Sequence, residues 1–203
     1  MNKLIKDALA LTAITVVSGL LLGLVYGITE EPIARQQEKA QMEAYQEVFP
    51  DAESFEDYID AGDETMRKVL DENGYGAQEI DKMVKAVDAD GNQLGFVVTV
   101  TTSEGYGGDI QFTMGVADDG TLNGISILSI SETAGLGMKA DTEEFKGQFT
   151  GKNVEEFQYT KNGASADNEI DALSGATITT NAMTNGVNAG LCAFREAEKG
   201  GNE

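Results

Sequence analysis

The sequence predicts an α+β protein: an N-terminal transmembrane helix, then an extracytoplasmic domain with a central, mostly antiparallel sheet and flanking helices. Three observations lead there. Residues 8–28 carry no charged side chain. Between residues 83 and 130, short β-branched runs alternate with turn-forming DADGN and ADDG. Apolar residues at helical spacing flank that strand-rich middle, which points to segregated rather than alternating helices and strands. Three segments are expected: residues 1–28 as cytoplasmic tail and span, 29–80 as a helical and acidic connection, and 81–203 as the main domain.

At about 1.5 Å per residue, the uncharged stretch reaches roughly 30 Å, enough to cross the apolar core of a bilayer. A cleaved signal peptide is the rival reading. Its apolar region is usually shorter, about 7–15 residues, and no A-x-A site follows here. Lys3, Lys6 and the amino terminus favour a cytoplasmic start, although Arg35 and Lys39 follow soon after the span. The expected location is therefore the inner membrane, crossed once. Thr15, Gly19, Gly23 and Gly27 recur every four residues, as on faces where membrane helices pack closely.

Beyond the span, Thr29 is read as the cap of a second helix, with Glu30, Glu31 and Pro32 in its first turn. That helix runs to about Val48 and shows Met42, Tyr45, Val48 and Phe49 on one face. Residues 51–64 are read as acidic, solvated and irregular apart from a short helix at residues 55–59. A helix is expected from Glu64. Residues 83–87, 95–102, 110–116 and 122–130 are read as strands, 141–149 as a short helix, and about 179–197 as a last helix burying Met183, Val187, Leu191 and Phe194. Cys192 on that helix is read as a small buried hydrophobe.

Composition excludes much chemistry. The chain has 14 basic and 35 acidic residues, a net charge of −21, so nucleic acid is not an expected partner. It has no histidine and one cysteine. A Ser-His-Asp triad, a zinc site and an iron–sulfur cluster held by this chain alone are all ruled out. Carboxylates, hydroxyls, backbone groups and a bound cofactor remain.

Three glycine-bearing segments stand outside the expected core. They are Gly105-Tyr106-Gly107-Gly108, the stretch from Ser131 to Lys139, and the stretch from Asp171 to Thr180. Glycine in such places permits positive φ or a close backbone approach. The third segment leads into a helix, whose N-terminal amides favour an anion. A Ser/Thr N-cap explains the same residues equally well.

The sequence Asp171-Ala172-Leu173-Ser174-Gly175-Ala176-Thr177 fits the pattern Asp-x-x-Ser/Thr-Gly-Ala-Thr, the acceptor motif for covalent flavinylation. With it, the N-terminal span and the Glu132-Thr133-Ala134-Gly135-Leu136-Gly137 loop, the chain resembles the FMN-binding G subunit of Rnf ion-translocating electron-transport complexes. It is also similar to the C subunit of Na+-translocating NADH:quinone oxidoreductase. Ala134 departs from the pattern, which commonly has proline there. The resemblance implies FMN joined through its phosphate to Thr177, within a motif of Asp171, Ser174, Gly175, Ala176 and Thr177 read by a flavin transferase that uses FAD. It implies cofactor contacts from Glu132, Thr133, Gly135, Leu136, Gly137, Met138, Thr179 and Thr180, with Tyr106 at the ring edge. It further implies an electron-transfer protein that is one part of a larger enzyme, not a complete enzyme alone. Other membrane and peripheral subunits would be its partners, in a complex coupling ferredoxin:NAD+ oxidoreduction to Na+ or H+ transport. Two other readings stand beside it: a membrane-anchored acidic binding or adhesion domain without cofactor, and an FMN-bearing sensor or reductase.

Overall fold

The computed structural model describes residues 3–60 and 62–200. The amino terminus, Ala61 of the acidic stretch and residues 201–203, which fall within the expected segments, lie outside the described residues. The chain forms two compact units, Met1–Ala40 and Gln41–Glu203.

The first unit is helical throughout its described residues and belongs to α1 (Lys3–Val48). An 18-residue window of α1 has a mean hydropathy of 2.3, and the helix is long and apolar enough to cross a membrane. A Cβ at Gly19, Gly23 or Gly27 meets nothing within 4 Å, so this small-residue face is uncovered. The expected second helix does not start at Thr29. The Thr29 hydroxyl caps nothing and instead donates back to Val25 O at 2.9 Å and Tyr26 O at 3.2 Å. Pro32 therefore lies inside a helix rather than in a first turn. It withdraws one N–H from the ladder, a defect a long helix tolerates.

In the second unit, β1 (Ser54–Asp60), β2 (Gln78–Val87), β3 (Gln93–Thr102), β4 (Ile110–Ala117) and β5 (Leu122–Ser129) form one antiparallel sheet in sequential order. The acidic residues expected to be irregular, with a helix at 55–59, form β1. Glu56, Asp57 and Asp60 stay exposed while Phe55 and Ile59 are half-buried. An edge strand needs only one hydrogen-bonded neighbour, and charge along it discourages further pairing. Helix α2 (Glu64–Glu72) starts where expected, capped by Asp63, whose carboxylate accepts from Met66 N at 2.8 Å.

The two faces of the sheet are covered differently. The last turn of α1 lays Tyr45 and Val48 on one face, with Phe49 beside them, against Val84, Ala86 and Val97. Met42, expected on that buried face, is exposed, because the contact begins only near Ala44. Here Gly115 makes room: a Cβ on it would lie 2.9 Å from Val48 Cβ. The other face carries α4 (Thr177–Gly200), which buries Met183, Val187, Leu191 and Phe194 as expected and starts two residues earlier than expected. Gly186 and Gly190 are one turn apart on the face towards the sheet. A Cβ on Gly186 would lie 2.8 Å from Phe112 Cε1, and one on Gly190 would lie 2.2 Å from Met114 Sδ.

The connection from β5 to α4 contains a 3-10 turn (Gly137–Asp141), α3 (Glu143–Lys146), and a small parallel pair, β6 (Gln158–Thr160) with β7 (Glu169–Asp171). The pair was not expected. Three-residue strands carry too little pattern to be read from sequence. Lys146 of α3 is almost enclosed. Burial opposes its charge, but a hydrogen bond to Glu143 and the fields of Asp141, Glu143 and Glu47 outweigh it and hold the ammonium above the usual lysine range. Glu47 also accepts a 2.5 Å hydrogen bond from Ser126 Oγ, joining the end of α1 to β5.

Gly186→Ala should lower the stability of the unit Gln41–Glu203 by up to about 2 kcal/mol, read as a reduced urea midpoint. Overpacking against the fully buried Phe112 ring exceeds the roughly 1 kcal/mol that alanine adds to a helix. An unchanged midpoint would show that α4 can shift outward freely. Burial pushes the Cys192 thiol up, keeping it protonated near neutral pH. A thiol reagent at pH 8 should therefore label Cys192 only after urea is added.

Candidate functional site

The three glycine segments converge on one cleft of about 560 Å³. Tyr106 lines it from the loop after β3. Glu132, Thr133, Leu136 and Gly137 line it from the loop after β5. Gly175, Ala176, Thr177, Ile178 and Thr179 line it from the turn that opens α4.

Close backbone approach brings these loops together. A Cβ on Gly107 would lie 2.1 Å from Ser131 O, and one on Gly105 would lie 2.1 Å from Gly108 O. Gly107 lets the first loop lie against the second, and Gly105 lets the first loop fold back on itself. The Gly107 amide then donates to Glu132 Oε1 at 3.2 Å and fixes that buried carboxylate. In the second loop, the amides of Leu136 and Met138 both donate to Thr133 O, at 3.1 and 3.2 Å. A Cβ on Gly137 would lie 2.5 Å from Glu132 Oε2 and 2.6 Å from Thr179 Oγ1. This glycine thus seats the loop on the first turn of α4.

The third loop is a type II turn. The Ala176 amide donates to Leu173 O at 3.1 Å, and Gly175 has φ +75° at the position that requires it. Helix α4 follows at once, and the residue before it, Ala176, has no side-chain acceptor. The amides of Thr177, Ile178 and Thr179 precede the first full helical turn and have no intrahelical partner. No side chain caps them among the described residues, so the Ser/Thr N-cap reading does not describe this helix start. Ser174 is exposed, and neither it nor the half-buried Thr177 forms a side-chain hydrogen bond among the described residues.

Other expected site residues sit elsewhere. Thr180 is fully buried and faces the turn: its hydroxyl accepts from Leu173 N at 3.0 Å and donates to Ala176 O at 2.9 Å. Gly135 and Met138 belong to the second loop but do not line the cleft. Asp171 ends β7, with its carboxylate accepting from Ala164 N at 2.7 Å and its backbone bracketed by the Gln148 amide. Ile178 lines the cleft and was not singled out from sequence. Its signal was an apolar side chain in a first helical turn, between two threonines and without a core partner.

The cleft is asymmetric in chemistry. Tyr106, Leu136 and Ile178, all exposed, give it an apolar rim. Among the described residues its only charged lining group is Glu132, and no lysine or arginine lines it. Uncapped amides at a helix N-terminus supply the one positive end. A flat apolar ring system carrying a phosphate matches this arrangement, and the volume suits a ligand of that size. The residues present therefore fit FMN.

Comparison with known proteins agrees with that chemistry. The FMN-binding domain family matches residues 105–191, which take in all three loops and much of α4, and the RnfG N-terminal region matches residues 1–48. The chain is 33% identical over 196 residues to the G subunit of the Na(+)-translocating ferredoxin:NAD(+) oxidoreductase complex of Acetobacterium woodii, covering 96% of this chain and 93% of that one. It is 32% identical over 177 residues to the G subunit of the proton-translocating ferredoxin:NAD(+) oxidoreductase complex of Clostridium ljungdahlii, covering 87% and 84%. A solved structure of the C subunit of the Na(+)-translocating NADH-quinone reductase from Parabacteroides distasonis aligns with a TM-score of 0.49 at 19% identity, over 71% of this chain and 77% of that one. With a relative at 33% identity spanning nearly the whole of both chains, and with an FMN-binding domain built around the cleft, the chain belongs to the RnfG family.

Proposed function

We propose that this protein is a membrane-anchored electron carrier that holds FMN covalently, through a phosphoester to Thr177, and relays electrons within an Rnf-type complex coupling ferredoxin:NAD+ oxidoreduction to Na+ or H+ transport. The observation that carries this reading is an unbonded Thr177 hydroxyl at the uncapped start of α4, on the wall of a cleft that fits FMN. The flavin supplies the redox chemistry.

The chain's own residues bind and orient it. The amides of Thr177, Ile178 and Thr179 face an anion, and the Thr179 hydroxyl adds a polar group on the same wall. The Glu132 carboxylate accepts an N–H or hydroxyl from the ligand. Leu136, Ile178 and Tyr106 offer apolar surface to the ring. Redox tuning then rests on the hydrogen bonds and charges around the ring, since the attachment point is the remote phosphate.

Attachment requires a flavin transferase with FAD as donor. The Thr177 oxygen forms a bond to the riboflavin-side phosphorus, the pyrophosphate bridge breaks, AMP leaves and the hydroxyl proton passes to solvent. No electron changes hands in that step. The chain lacks iron–sulfur ligands and any recognisable nicotinamide fingerprint, so the partner subunits carry the remaining centres. The apolar part of α1 anchors the protein in the cell membrane, with the N-terminus cytoplasmic and the FMN-binding domain outside.

Protein matured with a transferase should show flavin fluorescence in a denaturing gel and the mass of one FMN ester. Thr177→Ala should abolish both, whereas Thr179→Ala should keep them. Fluorescence persisting in Thr177→Ala would place the acceptor elsewhere. Gly137→Ala should push Glu132 and Thr179 apart, lower the thermal midpoint by the equivalent of about 1–3 kcal/mol, and reduce flavin loading. Full loading with an unchanged midpoint would show that the loop is not seated as described.

A further inference from the structure

Thr180 lies outside the acceptor sequence and outside the cleft, and its side chain is fully buried. Its hydroxyl makes two hydrogen bonds to the turn that precedes it. It accepts the Leu173 amide at 3.0 Å and donates to Ala176 O at 2.9 Å, while its own backbone amide donates to Ala176 O at 3.0 Å. Leu173 and Ala176 are the two ends of the type II turn, already joined by the Ala176 amide on Leu173 O. One hydroxyl thus ties both ends of the turn to the first turn of α4. Thr177 is the residue between the turn and that anchor.

We infer that Thr180 is the positioning residue for modification, holding the turn at residues 173–176 closed so that Thr177 is presented to the transferase in one conformation. The inference rests on the reading of Thr177 as the FMN acceptor. Ser174 and Thr177 form no side-chain hydrogen bond that would do this among the described residues. Without the Thr180 hydroxyl, the Leu173 amide loses its partner, the turn keeps only its own Ala176 to Leu173 bond, and its closed fraction falls. Only the closed fraction then binds the transferase productively, so apparent affinity falls by that fraction.

The test uses the full-length chain in detergent, purified flavin transferase, FAD and Mg2+, with initial rates of flavinylation measured against chain concentration. Thr180→Val keeps the shape and removes the hydrogen bonds; KM should rise by about tenfold with kcat within about twofold of wild type. Thr180→Ser should restore KM to within about twofold. Thr184→Val removes a similar buried hydroxyl, which donates to Thr180 O at 2.8 Å one turn later, and should leave KM unchanged. A wild-type KM in Thr180→Val, no rescue by serine, or an equal rise in Thr184→Val would overturn the inference while leaving Thr177 as acceptor. A wild-type chain that takes no flavin would overturn both. Amide exchange in the wild type provides a check that does not depend on any variant folding: the Leu173 amide should exchange at least about tenfold more slowly than that of Ser174. Equal rates would also sink the idea.

Discussion

The close seating of α4 on the sheet sets everything at the cleft. Gly186 and Gly190 remove the two side chains that would hold the helix away from Phe112 and Met114. With the helix lying this low, its first turn meets the loop after β5 at Gly137, where there is no room for a methyl group. The position of the N-terminal amides is therefore decided by packing more than a turn further along the same helix. Close-packed interiors transmit such constraints because they have few voids to absorb them.

The site is made of backbone more than side chains. Glycines at 105 and 107 let main chain approach main chain, Gly137 makes room for the Glu132 and Thr179 side chains, and Gly175 supplies the positive φ of the turn. What gathers in the cleft is amide dipole, one carboxylate and an apolar rim. In a chain of net charge −21, this is a way to favour a phosphate locally without placing a cation in the site.

Most of the sheet and both ends of the domain were legible because their patterns are long. Strand β3 is a near-continuous apolar run, β4 sets Ile110, Phe112, Met114 and Val116 at every second position, and α4 repeats apolar positions along most of its length. Where the reading failed, local chemistry had two solutions. Thr29 followed by two glutamates and Pro32 describes a helix start as well as a helix interior. In the chain the threonine hydroxyl bonds backwards to the preceding turn. Acidic β1 reads as solvated surface, and five of its seven residues are exposed, but Phe55 and Ile59 are half-buried against the core. The three loops were identifiable one by one from their glycines, whereas their meeting was not, since it depends on long-range packing. Thr180 shows the same limit. Its residue type suggested a ligand contact, and only the fold shows it turned towards Leu173 and Ala176.

With no lysine or arginine among the described residues of the cleft wall, the strength of its hold on a ligand is bounded. An anion at a helix N-terminus gains about 0.3–1 kcal/mol at exposed sites, less than a set of bidentate guanidinium contacts. The rim of Tyr106, Leu136 and Ile178 opens to solvent. Held by such a cleft alone, a ligand would depend on apolar contact and amide dipoles for its residence. A phosphoester at Thr177, as proposed above, would supply that residence and leave the surrounding residues free to be selected for ring orientation and potential instead of for affinity.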